Sequence, residues 1–308
     1  MDRDPINRYS HLEFFARQAV EGFISGRHRS PLHGFSVEFS DYRQYNPGES
    51  TAHIDWRLYG RTDRLYVKQF EEETNLRCQI LVDQSTSMLF PLEGQGDIKH
   101  PNKLTFSAYA AAVIVEMLHR QHDAVGLTLF SDRIDRQTPC RSSSVHRHHL
   151  NSLLDGLLAP VSADTRPLRG SSIAETLHLA AEQLHRRSLV VVFTDAFDAS
   201  PEPEPVLDAL RHLRHNKHEV VLFHTFDRAR ELQLDYGSRP HRFIDLETGR
   251  TLHLTPSEVA ADYRRQMERR QAELQHRAMQ YRIDYVPVDI AQGFHQVMLP
   301  FLLKRNKL

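Results

Sequence analysis

Cysteine is scarce: two residues in 308, Cys78 and Cys140. Two thiols cannot build a disulfide framework, and no C-x-x-C spacing offers a metal knot or a redox pair. A reducing compartment is the expectation. Long apolar runs are missing too, since no window approaches the ~20 apolar residues of a membrane-spanning helix. The opening MDRDPINRYSHLEFFARQAVEGF has Asp2, Asp4 and Glu13 where a secretion signal wants a basic start and an unbroken apolar stretch. A soluble, cytoplasmic protein is therefore expected. Nor is there an excess of charge of one sign: 39 Lys and Arg face 40 Asp and Glu, for a formal net charge of −1. That balance supplies no global field to draw in nucleic acid or an anionic membrane, and no nucleic-acid partner is expected.

What is present is an ordinary globular composition, 40% apolar and 26% charged. The length suffices for one large domain or two modest ones. Leu12, Phe15, Ala19 and Phe23 fall at helical spacing over 11–23. Residues 34–39 alternate as a half-buried strand, Asn46-Pro47-Gly48-Glu49 reads as a turn, and 65–70 as another strand. A helix plus a small β-rich element thus fills 1–76. From Arg77 the pattern becomes strand, helix, strand, helix. Strands are predicted at 78–83, 125–130, 134–138, 189–194, 220–226 and 283–288. Helices are predicted at 103–121, 145–158, 173–185, 205–215, 256–280 and 293–304, with a hairpin-like insertion at 231–254. Such alternation predicts an α/β domain over 77–308, a doubly wound, mostly parallel sheet with helices on both faces.

In such a sheet ligands sit beyond the carboxyl ends of the strands. The apolar run Ile80-Leu81-Val82 ends in Asp83-x-Ser85-x-Ser87. The strand LVVVFT is followed by Asp195. Between them, RPLRGSSIAETL places Ser171 and Ser172 just before a helix. Two carboxylates and several hydroxyls on one edge form an oxygen-only set suited to a hard cation. Neutral hydroxyls leave much of the cation's charge uncancelled, so it still attracts a carboxylate from outside.

These motifs resemble the metal-ion-dependent adhesion site of von Willebrand factor type A domains. Asp83, Ser85 and Ser87 match its first motif, Ser171 stands for the usual Thr, and Asp195 for the last Asp, which in that family often reaches the metal through water. The stretch GRHRSPLHGFSVEFSDYRQYNPGESTAHIDWRLYGRTDRLYVKQFEEE, with its Y-x-P-G-E turn and I-D-W segment, is similar to the leading part of the bacterial family called domain of unknown function 58. The RIDYVPVDI strand and LPFLLKRN ending resemble it as well, so the likeness spans roughly 20 to 305. The resemblance implies a Mg2+ (or Mn2+ or Ca2+) site and a non-enzymatic adaptor or chaperone-like role. The implied partner presents an acidic side chain and is a MoxR-type AAA+ ATPase or its client.

Two rival readings stand beside it. A Mg2+-dependent hydrolase is one, although G-x-S-x-G, H-E-x-x-H and a phosphate loop are all missing. A metal-free scaffold binding through the N-terminal β element is the other. Thr86 and Ser172 read as helix caps, and Thr194 as a packing or locally bonded residue. Asp55-Trp56-Arg57 with Arg61 and Arg64 reads as a fastening of the β element. The charged helix at 262–277 reads as an exposed face with intrahelical pairs. His146-x-His148-His149 lacks convergent zinc spacing, and Cys78 and Cys140 read as packing thiols.

Overall fold

The computed structural model describes residues 11–25, 41–44, 56–69, 76–159, 172–196 and 204–305. The strand expected at 34–39, the turn at 46–49 and Ser171 lie outside them. By compactness the chain divides into Met1–Gly26 with Leu76–Leu308, and Arg27–Asn75. The amino-terminal helix therefore goes with the larger unit.

The chain runs α1 (His11–Ser25), β1 (Asp41–Gln44), α2 (Trp56–Thr62), β2 (Tyr66–Gln69), β3 (Arg77–Asp83), α3 (Lys103–Arg120), β4 (Ala124–Phe130), β5 (Ile134–Gln137), α4 (Ser144–Gly156), α5 (Ile173–Gln183), β6 (Leu189–Thr194), α6 (Glu204–His215), β7 (Glu219–Phe226), β8 (His241–Ile244), β9 (Thr251–Leu254), α7 (Pro256–Gln280), β10 (Asp284–Asp289) and α8 (Phe294–Arg305). In the smaller unit, β1 and β2 form an antiparallel pair with Asp41 opposite Gln69. The segment after Asp55, expected to be part of a β-rich element, is the helix α2.

The larger unit is built on a six-stranded sheet of order β10-β7-β6-β3-β4-β5. Every pair is parallel except β4–β5. The alternation seen in the sequence becomes two cores. Ile80, Val82, Val191, Phe193, Val221 and Phe223 join the core that also holds residues of α1, α3, α4 and α8. Their neighbours Leu81, Val190, Val192, Val220 and Leu222 face the core shared with α5, α6 and α7. Side chains of a strand point alternately to opposite faces, so near-continuous apolar strands mean a sheet covered on both sides. This is the doubly wound α/β arrangement.

Helix α3 lies in the core, with Leu104 to Leu118 buried throughout. It starts where Asn102 accepts a hydrogen bond from the Thr105 amide at 2.7 Å, satisfying one of the orphan donors of a helix start. Helix α1 packs on it, with Phe15 edge-on to Tyr109 at 4.8 Å between ring centres. Charges buried between these helices are paired: Arg147 of α4 meets Glu116 at 2.9 Å and Glu13 at 3.3 Å. Helix α6 buries Val206, Leu207, Leu210 and Leu213, one stripe at helical spacing. In α7, where Pro256 takes the first-turn position that best tolerates its missing amide, only Pro256, Leu274 and Ala278 are buried.

From β3 the chain builds outward through β4 and β5, then returns to place β6, β7 and β10 on the opposite side. The direction of winding reverses between β3 and β6. Their parallel register sets Val82 beside Phe193, so Asp83 and the Thr194-Asp195 pair leave the sheet at one edge.

Candidate functional site

Asp83 is fully buried at the end of β3. Its Oδ1 accepts the Ser85 amide at 2.9 Å, and its Oδ2 accepts the Thr194 hydroxyl at 2.8 Å. Thr194, expected to pack or to bond locally, ties the two strand ends together. Burial raises the Asp83 pKa to about 7, with the Asp195 charge adding to the rise. The chain then enters a turn of 3-10 helix at Thr86–Leu89, anchored by buried Met88 and Leu89. This turn brings the Ser85 and Ser87 hydroxyls within 3.0 Å of each other.

Asp195 is buried too, and its Oδ2 accepts a 2.8 Å ion-paired hydrogen bond from Lys103. The same ammonium meets Glu231 at 2.5 Å. Burial alone would lower the Lys103 pKa, but the two carboxylates outweigh it and hold the amine firmly protonated. After Asp195, Ala196 takes a left-handed backbone with φ +56°. That conformation costs a residue with a Cβ about 1–2 kcal/mol. Bonds from the Ala196 amide to the Thr194 hydroxyl at 3.1 Å, and from Arg270 to the Ala196 carbonyl at 3.1 Å, hold it in place.

His224 of β7 lies beneath. Its Nε2 bonds the Asp195 carbonyl at 3.0 Å and its Nδ1 bonds the Tyr285 hydroxyl at 2.7 Å. A carbonyl only accepts, so Nε2 carries the proton and Nδ1 receives the tyrosine's. Burial pushes this imidazole down to about 4. The ring is neutral at pH 7 with both nitrogens engaged, and it bonds neither Ser85 nor Ser87.

A third carboxylate arrives from the β8–β9 hairpin. Glu247 lies beside the Ser87 hydroxyl and feels the charges of Asp195 and Asp83. Burial, aided by those charges, pushes Glu247 up to about 7.

The fold therefore gathers Asp83, Ser85, Ser87 and Asp195 at one rim, as the sequence predicts. Ser171 lies outside the described residues. Next to it, the Ser172 amide donates to Ser131 just past β4 at 2.9 Å, while the Ser172 hydroxyl bonds Glu175 at 3.2 Å. Sequence reasoning missed Lys103, Arg270, Glu231 and Glu247. Only Lys103 left a signal: a cation at the first position of a buried, alanine-rich helix opposes the helix dipole and needs a counter-charge. Among the described residues, no three or more His, Cys, Asp or Glu are arranged to hold a metal ion. What the rim offers instead is carboxylate and hydroxyl oxygen. That donor chemistry, buried enough to raise Asp83 and Glu247 to about 7, fits a hard divalent cation. The histidines of 146–149 are engaged in the scaffold: His146 bonds the Val125 carbonyl at 3.0 Å and His148 bonds Glu13 at 2.9 Å. Cys78 is buried, and half-buried Cys140 directs its thiol to the Cys78 carbonyl at 3.4 Å.

Residues 41–277 match the family described as Protein of unknown function DUF58. The chain belongs to this family. Among curated proteins, this DUF58 chain is 24% identical over 188 residues to the uncharacterized protein Rv1480 of Mycobacterium tuberculosis, covering 60% of the chain. The uncharacterized protein Mb1516 of Mycobacterium bovis matches with the same figures. The chain spans about half the length, 55%, of these relatives. Among solved structures, a conserved hypothetical protein BatB from Bacteroides thetaiotaomicron aligns over 76% of this chain and 100% of its own, with 15% identity and a TM-score of 0.44. An aerotolerance-related membrane protein from Bacteroides fragilis aligns over the same shares, with 16% identity and a TM-score of 0.45. Both scores lie below the level at which a shared fold follows. Among the described residues, no helix is long and apolar enough to cross a membrane.

Proposed function

We propose that this DUF58 chain is a metal-dependent protein-binding module, a type A domain whose adhesion site takes an acidic side chain from a partner. One observation carries the reading: Asp83, the Ser85–Ser87 hydroxyl pair and Asp195 converge where the sheet's winding reverses, the place where open α/β sheets bind ligands. Asp83, Ser85, Ser87, Ser171 and Asp195 would hold the ion. A bound Mg2+ supplies an electron-poor centre that a carboxylate from outside completes; Mn2+ and Ca2+ share its preference for oxygen. The protein's own part is to keep Asp83 oriented, through the Ser85 amide and Thr194, and to keep Asp195 anchored by Lys103.

We assign the partner to the MoxR-type AAA+ ATPases or their clients, on family resemblance, and the setting to the cytoplasm, on composition. Hydrolysis is disfavoured by His224, whose ring nitrogens serve Asp195 and Tyr285 rather than a serine. A metal-free scaffold is favoured by one feature, the ammonium of Lys103 already paired with Asp195.

Magnesium titration separates these readings. With Mg2+ at ~100 times its dissociation constant, unfolding stability rises by about 2.7 kcal/mol. Asp83→Ala abolishes that gain and still folds. Equal melting temperatures in Mg2+ and in EDTA for the unaltered chain defeat the metal reading. An AAA+ ATPase that co-purifies with the chain in Mg2+ is lost on Asp195→Ala; its retention defeats the adaptor role of this site.

A further inference from the structure

The β8–β9 hairpin is a two-stranded sheet of its own, paired with no other strand of the described chain. Its strands are mostly exposed, with Ile244 47% and Leu252 60% accessible. Isolated two-stranded hairpins are only marginally stable, and Phe243 of this one packs edge-on against Tyr236 at 5.1 Å between ring centres. Its tip is closed by its own hydrogen bonds. Asp245 accepts hydrogen bonds from the Glu247 amide at 2.9 Å, the Thr248 amide at 3.3 Å and the Thr248 hydroxyl at 2.6 Å. Gly249, at φ +71°, closes the turn by donating to the Asp245 carbonyl at 2.9 Å.

That tip sets Glu247 at the candidate site, its carboxylate beside the Ser87 hydroxyl and within reach of the charges of Asp195 and Asp83. Its Oε1 is buried with no hydrogen-bond donor among the described residues. A buried carboxylate oxygen with no donor is costly, and a cation beside it removes the cost. The hairpin's own turn is closed by Asp245 and does not use Glu247's carboxylate.

We propose that Glu247 is the resident carboxylate of this site, holding in cis the position that a partner's acidic side chain takes in trans. A partner then binds by displacing the hairpin tip. The inference rests on the metal-binding reading above and adds its regulation. It also defines what the partner must bring, namely a carboxylate on a surface that accepts the exposed hairpin as it leaves. A tip docked in about 90–99% of molecules lowers a partner's apparent affinity ten- to hundredfold, because only the undocked fraction is competent.

The test compares the unaltered chain with Glu247→Gln, using Mn2+ as the ion and a short peptide with one central Glu as the ligand. Manganese-enhanced water relaxation counts the exchangeable waters on the bound ion, and calorimetry measures the peptide. The expected result is that Glu247→Gln retains Mn2+, gains one exchangeable water on it, and binds the peptide ten- to hundredfold more tightly. Mn2+ bound equally by both proteins, with the same water count and the same peptide affinity, overturns the role of Glu247 and leaves the metal reading standing. A large loss of Mn2+ affinity with no gain for the peptide overturns it as well, since Glu247 is then a fixed ligand. Failure of both proteins to bind Mn2+ removes the inference together with the reading beneath it.

Discussion

Lys103→Met is the sharpest test of how the site is held. The lysine side chain is 1% exposed, Asp195 0% and Glu231 19%. Methionine keeps most of the lysine's length and apolar volume, so the substitution deletes the ammonium without opening a large cavity. It takes the ammonium from two carboxylates. Breaking a buried ion pair from one side costs about 3–5 kcal/mol, because the remaining charge stays desolvated. The lower half of that range applies to the Glu231 side, where the carboxylate is partly exposed and still takes the Asp227 amide's hydrogen bond at 2.7 Å. Asp195, fully buried, carries the greater share. At about 2–4 °C per kcal/mol for a domain of this size, the melting temperature falls by roughly 6–20 °C. The measurement is calorimetry or urea unfolding in EDTA, so that no divalent ion substitutes for the lost charge. A double variant, Lys103→Met with Asp195→Asn, recovers about 0.5–3 kcal/mol of the loss, the usual coupling between groups in contact. A single variant within about 1 kcal/mol of the unaltered chain refutes the reasoning, because it means water or protons already balance Asp195.

Two further outcomes follow from the same geometry. Asp83 and Glu247 are both raised to about 7, so between the ordinary carboxylate range and pH 7 the metal-free fold binds more protons than the unfolded chain. Their contribution to stability is thus full at low pH and lost as pH rises through about 7. Metal must expel those protons, so the Mg2+-induced rise in melting temperature is larger at pH 8 than at pH 6, and an equal rise at both counts against Asp83 as a ligand. Thr194→Val removes the hydroxyl that donates to Asp83 and accepts from Ala196, and costs about 1–3 kcal/mol in urea unfolding. A neutral result there means the two strand ends are not coupled through that side chain.

The sheet was legible because its strands speak in an unambiguous pattern. LVVVFT has no polar residue until Thr194, so it can only be a covered central strand, and β6 runs over those six residues. Pro256 marks the start of α7 as read. Local signals of this kind fix elements. Asp83 and Asp195 were legible for a related reason: each ends an apolar strand, and parallel neighbours end at one edge. The partners of those residues were not legible, because they depend on which distant segments the fold brings back. Lys103 reaches Asp195 across 92 positions. Arg270 sits among many charges of a helix read as an exposed face, and only the packing of α7 singles it out to meet Ala196. Glu247 lay in an insertion whose period announced a hairpin but not its direction. The helix α2 was read into a β-rich element because its seven residues are too few to show helical periodicity.

The charges at the rim explain why a motif built from only two acids needs so much around it. Among the described residues, four carboxylates, Asp83, Asp195, Glu231 and Glu247, share the rim with two cations, Lys103 and Arg270. Lys103 is committed to Asp195 and Glu231, at contact distance from both, and cannot serve the other pair without releasing them. Burial, with the neighbouring carboxylates adding to it, raises Asp83 and Glu247 to about 7. One lies in the sheet and is fixed. The other rides on a hairpin tip and, on the proposal above, leaves with it. On the proposed reading a divalent ion takes the place of those protons, and a partner's acid then takes the place of Glu247. Each exchange conserves charge at the rim, which is what allows a buried acidic site to open toward another protein without unfolding the strand ends that form it.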